Sequence, residues 1–204
     1  MSSFPMPADT YRGIVNLFTS EHKASGSKFY GFLFPVRDEH DFEQKIKDYK
    51  TEFADATHVC SGCVIGIDRE YQRFSDDGEP SNSSGRPILH ALLSAEITYV
   101  GCAVVRYYGG KKLGIPGLIE AYGGAAESSI SSAKIKELVL TDSIACTIAP
   151  ANSYVLYNLL NKWPDISYEV NSDGQFIITC AKSMTSKLLT ELNKIDTLAL
   201  ENEK

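Results

Sequence analysis

The chain has 204 residues, of which 43% are apolar and 23% charged, and its formal net charge is −6. This composition excludes a disordered, collagen-like or Pro-rich protein, and the length predicts a globular protein of one large or two compact domains. The acidic balance excludes a globally basic surface, so any site for a polyanion must be a local patch. The sequence contains no signal-peptide pattern and no membrane-spanning stretch, which predicts a cytoplasmic protein without a membrane partner.

Strand and helix patterns alternate along the first 137 residues, which are predicted to form one domain. β-branched and aromatic runs predict strands, and apolar residues three and four apart predict helices. The strands are expected at residues 28–36, 58–67, 70–74 and 97–107, and the helices at 38–50, from 85 onwards, and from 116 to about 133. The strand at 97–107 is almost continuously apolar and is therefore expected in the centre of its sheet.

The remaining residues, 138–204, show a second regular pattern. Strands are predicted at 138–149, 166–170, 175–181 and 197–200, with helices at 152–162 and 184–193. The order βαββαβ with short loops predicts the ferredoxin-like arrangement. The fold class is therefore α+β, in two domains at 1–137 and 138–204, and the negative charge is shared evenly between them.

The segment 104–117 carries the residue types of an anion-binding site. A predicted buried strand brings an arginine, two tyrosines, two lysines and four glycines to the start of a helix. Glycines let backbone N–H groups approach a ligand, and a helix amino terminus is partially positive. Arg106 with Lys111 or Lys112 would neutralise a phosphate. The spacing fits neither a Walker loop nor a dinucleotide fingerprint, and glycines that only shape a tight connection are the alternative.

An acidic turn lies at residues 75–80, with the sequence Ser-Asp-Asp-Gly-Glu-Pro. Its three carboxylates would suit a hard cation, although the spacing is not that of an EF-hand loop. The alternative is a hydrogen-bonded turn in which Asp side chains accept bonds from local N–H groups. The same carboxylates could also activate a hydroxyl or a water beside a basic site.

The five cysteines are odd in number and lack a secretory context, which predicts reduced, buried thiols. Cys60 and Cys63 have the C-x-x-C spacing, but in a strand residues three apart point to opposite faces, which argues against zinc. His58 and Cys60 share one face and could form a nucleophile pair, or could be a structural histidine beside a buried thiol.

Gly123 and Gly124 lie inside a predicted helix, where glycine is unfavourable. Close packing of the helix on the sheet is the expected reason for glycine at these positions, and ligand contact is the alternative.

Several motifs together resemble the IMPACT family, in its bacterial branch. They are the sequences ATHVC at 56–60, RFSDDGEP at 73–80, GRP at 85–87, VVRYYGGKKLG at 104–114 and AYGG at 121–124. The resemblance covers essentially the whole chain. It implies an N-terminal domain with the fold of domain 2 of ribosomal protein S5, a ferredoxin-like C-terminal domain, and a cleft proposed to bind nucleic acid or another phosphate-bearing ligand. Eukaryotic relatives regulate translation.

The expected function is that of a cytoplasmic binding protein that engages RNA, or a ribosome-associated or other phosphate-bearing ligand, in translation or its regulation. The predicted ligand-binding residues are Lys28, His58, Arg106, Tyr107, Gly109, Gly110, Lys112, Gly114 and Gly117, and the acidic turn near the cleft contributes Ser75, Asp76, Asp77, Gly78 and Glu79. No resident metal or cofactor is predicted.

Two alternatives belong to other functional classes. The first is a metal-assisted enzyme acting on a small phosphorylated or nucleotide substrate, in which Asp76, Asp77 or Glu79 is a metal ligand or general base and Arg106 stabilises developing charge. The second assigns the function to the C-terminal domain, whose sheet would pair with a partner protein or a second copy.

Overall fold

The computed structural model describes residues 9–201. Its residues divide into two compact units, one at 11–138 and one that joins Asp9 and Thr10 to residues 139–201. The predicted domains at 1–137 and 138–204 meet one residue from this division, and their independent folding stays a prediction. Among residues 9–201, none of the helices is long and apolar enough to cross a membrane.

The first unit is built around a five-stranded antiparallel sheet in the order β2-β3-β6-β4-β5. A further pair, β1 with β7, forms a two-stranded sheet. The strands are β1 Thr10–Gly13, β2 Phe18–Ala24, β3 Ser27–Pro35, β4 His58–Ile65, β5 Tyr71–Ser75, β6 Val100–Tyr107 and β7 Lys136–Val139. The helices are α1 Glu39–Glu52, α2 Gly85–Ser94 and α3 Gly114–Ser132.

Helices cover both faces of this sheet, which is why its central strand is apolar from Val100 to Val105. Cys102 and Val104 of β6 pack in the cluster formed with α2 and α3. Ala103 and Val105 of the same strand pack in the opposite cluster, with Phe42 of α1. The prediction of a central strand is confirmed, and the alternation of its residues decides which side chains can meet.

The hairpin of β2 and β3 contains the first strand of the sheet, and the sequence did not predict β2. Along β2 half-buried and exposed residues alternate, and most of its side chains are polar. The turn between the strands is Ser25-Gly26, and both residues have positive φ, at 49° and 83°. That conformation is the two-residue hairpin turn that glycine favours at its second position.

The second unit has the predicted βαββαβ order. It consists of β8 Thr141–Ile148, α4 Ser153–Leu160, β9 Ser167–Val170, β10 Phe176–Ala181, α5 Thr185–Leu192 and β11 Leu198–Leu200, with single 3-10 turns before α4 and α5. The strand order is β11-β8-β10-β9 and all neighbours are antiparallel. This order confirms the ferredoxin-like prediction, because the two strands joined through α4 are separated by β10. The α+β class is confirmed for both units.

Candidate functional site

The strand register divides the predicted ligand-binding residues between the two faces of the sheet. His58 and Phe29 lie opposite Arg106 on the two neighbouring strands, whereas Lys28 lies opposite Tyr107. Directly opposed residues share a face, and consecutive residues do not. Arg106 and His58 therefore lie on the side of α2 and α3, and Lys28 and Tyr107 on the side of α1.

On the α2 and α3 side, Arg106, Tyr122 and His58 surround the carboxylate of Glu79. We call these four residues the Glu79 cluster. Arg106 Nη1 donates a hydrogen bond to Glu79 Oε1, and the Tyr122 hydroxyl donates to the same oxygen at 2.8 Å. His58 Nε2 lies 3.9 Å from it. The side chains of Arg106 and Glu79 are only 7% and 4% exposed, so this ion pair is shielded from water.

Aromatic rings enclose the guanidinium of Arg106. Its central carbon lies 5.5 Å from the ring centroids of Phe29 and of Tyr108. Arg106 Nε is buried and has no hydrogen-bond partner among the described residues. Glu79 neutralises the charge of Arg106. A phosphate would therefore pair with this arginine only if the Glu79 carboxylate moved away from it.

Asp76 of the acidic turn organises the amino terminus of α2. Its Oδ1 accepts hydrogen bonds from the backbone N–H of Gly85 at 2.8 Å and of Ser84 at 3.1 Å, and from the Ser84 hydroxyl at 2.8 Å. Its Oδ2 accepts from the N–H of Asn82 at 2.8 Å. Burial alone would raise the pKa of Asp76, but these hydrogen bonds outweigh it and the pKa is lowered.

Asp77 continues the same turn and ties it to β4 and α1. Its Oδ2 accepts a hydrogen bond from the N–H of Val59 at 2.7 Å, and its Oδ1 accepts one from Lys50 Nζ. Its carbonyl accepts from His58 Nδ1 at 2.7 Å, which places the proton of a neutral imidazole on Nδ1. The acidic turn is therefore a hydrogen-bonded turn, which the sequence analysis gave as the alternative to a cation site.

The thiol of Cys60 is held against this turn. It is fully buried, and Sγ donates to the carbonyl of Asp76 at 3.1 Å. Burial raises the pKa of Cys60 to about 12, so the thiol stays protonated at neutral pH and is a poor nucleophile beside His58. Cys60 and Cys63 lie in clusters on opposite faces of the sheet, as predicted for residues three apart in a strand. All five cysteines are buried and free.

On the α1 side, Lys28 and Tyr107 belong to a concave surface of about 560 Å³ that we call the aromatic concavity. Its lining residues are Gly26, Lys28, Tyr30, Phe32, Phe53, Tyr107 and Tyr108. Tyr30 and Tyr107 meet edge to face with centroids 6.0 Å apart, and the Tyr107 hydroxyl donates to Asp55 Oδ1 at 2.9 Å. Lys28 is exposed, and Tyr108 is 47% exposed.

The glycines after β6 have different structural roles. A Cβ on Gly109 would lie 2.0 Å from the backbone of Gly26, so the loop packs on the hairpin turn only because no side chain is present. Gly110 and Gly114 have positive φ and no close neighbour, and Gly117 contacts Leu113 inside the first turn of α3. Exposed Lys111 and Lys112 lie in this loop. No side chain among the described residues caps the amino terminus of α3.

The sequence did not single out several residues of these two sites. Tyr122 appeared only within the AYGG motif, and Tyr30, Phe53 and Tyr108 were not proposed as ligand-binding residues. The signal for Tyr30 was its position two residues after Lys28 in the same strand, because alternate residues share a face. The role of Glu79 as partner of Arg106 had no local signal, since the two are 27 positions apart.

Comparison with known proteins decides the family. The model of the Impact N-terminal domain matches residues 25–130, more than half of the chain. The chain belongs to the IMPACT family.

Curated IMPACT family members align with parts of this chain. It is 39% identical over 87 residues to IMPACT family member YigZ of Escherichia coli, covering 42% of this chain and 43% of that protein. It is 56% identical over 78 residues to an IMPACT family member of Thermus thermophilus, covering 38% of this chain and 41% of that protein. The alignments therefore span less than half the length of these two relatives.

A solved structure extends the comparison of the fold to nearly the whole chain. The crystal structure of a hypothetical protein matches with a TM-score of 0.69 and 21% identity, and covers 97% of this chain and 99% of that one. At this identity the match shows the fold alone. The aligned region includes both units of this chain.

The hydrogen bonds of Asp76 cap the amino terminus of α2 and give a stability prediction for the unit at residues 11–138, which we call the IMPACT domain. Replacing Asp76 by alanine leaves backbone N–H groups of the first turn without an acceptor, so Asp76→Ala is expected to lower the free energy of unfolding by about 2 kcal/mol. Urea denaturation measures the loss. Asp68→Ala is the control, because within residues 9–201 the exposed Asp68 side chain accepts no hydrogen bond. Equal losses in both variants would contradict the cap.

The lowered pKa of Asp76 fixes the pH dependence of that difference. A carboxyl whose folded-state pKa is depressed contributes stability that is fully present above the unfolded-state value of 3.8 and is lost as pH falls through the folded-state value. The stability gap between the parent and Asp76→Asn should therefore be constant from pH 5 to 7 and should shrink below about pH 4. A gap that widened in acid would overturn this assignment.

The buried ion pair gives a second stability prediction. Arg106→Met or Glu79→Leu alone leaves a buried charge without its partner and is expected to cost about 3–5 kcal/mol, whereas the double variant should cost clearly less than the sum. Tyr122→Phe removes one hydrogen bond and should cost about 1 kcal/mol. The control is Arg12→Met, which removes the exposed pair of Arg12 with Glu96 and should cost under about 1 kcal/mol. Additive losses at Arg106 and Glu79 would contradict the coupling.

Proposed function

We propose that the IMPACT domain of this protein binds single-stranded nucleic acid, with RNA as the expected class, and that the protein acts in translation or its regulation in the cytoplasm. The observation that carries the proposal is the aromatic concavity, in which Lys28 lies among Tyr30, Tyr107 and Tyr108. Single-stranded nucleic acids are commonly bound by aromatic rings on which bases stack and by basic groups that follow the backbone.

The stacking part of the proposal rests on exposure and support. Tyr108 is 47% exposed, yet its ring is held over the guanidinium of Arg106. Tyr107 is fixed by its hydrogen bond to Asp55 and by the edge contact with Tyr30. Rings whose orientation is already fixed lose little conformational entropy when a base stacks on them.

The electrostatic part rests on a few lysines. Lys28 lines the concavity, and Lys111 and Lys112 lie exposed in the loop that follows β6. With a net charge of −6 the protein has no general attraction for polyanions, so these cations must act locally. In this proposal Gly109, Gly110, Gly114 and Gly117 shape the loop that presents the lysines, while Arg106 and His58 support the site from the other face.

The enzyme alternative has less support in the geometry. Asp76 accepts protein hydrogen bonds on both oxygens, Asp77 accepts them on both oxygens, and Glu79 is paired with Arg106. A cation at the acidic turn would first have to displace these donors. Within residues 9–201 no three His, Cys, Asp or Glu side chains are grouped to hold a metal ion.

Fluorescence anisotropy with a labelled 12-nucleotide oligouridine tests the binding. Tyr107→Ala should weaken binding about tenfold, because a stacked base contributes about 1–3 kcal/mol. Tyr107→Phe keeps the ring and should bind within about twofold of the parent. Lys28→Ala should weaken binding and reduce its salt dependence, whereas Lys134→Ala, an exposed lysine after α3, should change neither.

The salt dependence of oligouridine binding is a second test of the proposed site. With two to three phosphates neutralised, the logarithm of the binding constant should fall against the logarithm of the salt concentration with a slope of about −1.4 to −2.1. Binding that is independent of salt would overturn the proposed site. Binding by Lys28→Ala and Tyr107→Ala that is as strong as binding by the parent protein would also overturn it.

Co-sedimentation of the full chain with purified ribosomes tests the link to translation. At low salt the parent protein should pellet with ribosomes, and the double variant Lys28→Ala with Tyr107→Ala should stay in the supernatant because it lacks both the stacking ring and the cation. The Lys134→Ala variant is the control and should pellet like the parent. Pelleting that is unchanged in the double variant would separate ribosome association from the aromatic concavity.

A further inference from the structure

A second concave surface lies across the helix side of the IMPACT domain, away from the aromatic concavity. It is a groove of about 880 Å³, and we call it the glycine groove. His22 of β2 lines one side, Arg86 and His90 of α2 line another, and α3 passes between them with Gly123 and Gly124. Cavities that hold small molecules commonly have volumes of about 300–1,000 Å³, so the groove has the size of a ligand site.

The charges along this groove are opposite in sign and are not paired with each other. Arg86 and His90 are one turn apart on α2, and Glu120 and Glu127 lie on α3 on either side of the glycines. All four side chains are exposed, and within residues 9–201 Arg86, Glu120 and Glu127 form no ion pair. The groove therefore has a basic group on its α2 side and two carboxylates along its α3 floor.

Close packing on the sheet, which was the expectation from the sequence, accounts for Gly124 but not for Gly123. A Cβ on Gly123 would meet only Pro87 Cβ, at the ordinary contact distance of 3.7 Å. A Cβ on Gly124 would lie 3.3 Å from the ring of His22 on β2, which is closer than an ordinary contact. Glycine in a helix interior costs about 1 kcal/mol relative to alanine. Packing does not require a glycine at position 123, but the absence of a side chain there makes the groove deeper.

Apolar side chains complete the surface. Ile115 and Ile119, one turn apart on α3, are 54% and 43% exposed and line the groove with Pro87. Exposed isoleucines beside unpaired charges are the elements of a site that takes an apolar group together with polar ones.

We propose that the glycine groove binds a small zwitterion of the amino-acid class, a free amino acid or dipeptide with an apolar side chain. The carboxylate would face Arg86 and His90, the ammonium group would face Glu120 or Glu127, and the side chain would contact Ile115 and Ile119. A ligand with both charges satisfies both groups of side chains, whereas a polyanion is repelled by the carboxylates of Glu120 and Glu127.

Thermal unfolding of the full chain tests this proposal with L-leucine, L-isoleucine and the dipeptide Leu-Leu as probes. At least one of them, at about 10 mM, should raise the melting temperature by about 2 °C or more, because a ligand that binds only the folded state stabilises it. N-acetyl-L-leucinamide, which keeps the side chain and lacks both charges, should give no shift. The absence of a shift with all three probes, or an equal shift with the uncharged analogue, overturns the proposal.

Variants separate ligand binding from a packing role. Gly123→Ala should raise the melting temperature of the free protein, since alanine favours the helix and its Cβ has room. It should also reduce the shift produced by the probe at least twofold, because the methyl group fills the groove floor. Arg86→Gln and the double variant Glu120→Gln with Glu127→Gln should each abolish the shift, while Lys134→Gln should keep it. A melting temperature lowered by Gly123→Ala, or a full shift in Arg86→Gln, overturns the assignment.

RNA binding is measured on the same variants and reports on a different surface. Arg86→Gln and Gly123→Ala should bind oligouridine within about twofold of the parent, because neither residue lines the aromatic concavity. If both variants lost RNA affinity as well as the probe-induced shift in melting temperature, the separation of the two sites would be overturned. Failure of the oligouridine assay in the parent protein would concern the proposed function alone.

Discussion

The ion pair between Glu79 and Arg106 is the contact on which the rest of the IMPACT domain depends. Burying two charges is costly, and here it is offset by the mutual pairing and by the hydroxyl of Tyr122 on the same oxygen. The pair joins the acidic turn, the central strand β6 and helix α3. Because Arg106 also lies against the ring of Tyr108, a charge buried on one face supports an aromatic group at the edge of the site on the other.

The sequence predicted the fold well where hydrophobic periodicity is strong. Every helix and most strands were placed within a few residues, and the βαββαβ order led directly to the observed sheet of the second unit. It missed β1. It also failed at β2, where the sequence Phe-Thr-Ser-Glu-His-Lys-Ala has a single large apolar residue and four of its seven positions are partly buried. An edge strand of this kind is stabilised by its hairpin partner, and only the Ser25-Gly26 turn signals it.

The candidate site was predictable in residue type but not in arrangement. The sequence placed Arg106 and Tyr107 in one motif, but neighbouring residues of a strand point to opposite faces, so they belong to separate sites. The partners of Arg106 come from a turn and a helix elsewhere in the chain, and contacts of that kind leave no local pattern. The acidic residues looked suited to a cation because their backbone donors, such as the N–H of Gly85, become visible only in the folded chain.

Charge then distinguishes the two open surfaces of the domain. Lys28 lines the aromatic concavity among aromatic rings, and the nearby carboxylate of Asp55 accepts a hydrogen bond from Tyr107. In the proposed function a phosphate would therefore meet the charge of Lys28 there although the protein is acidic overall. In the glycine groove, Glu120 and Glu127 line the same surface as Arg86, so a phosphate backbone along it would meet charges of both signs. Charges of both signs disfavour a polyanion and favour a compact ligand that carries both charges, so the two proposed ligands would not compete for one surface.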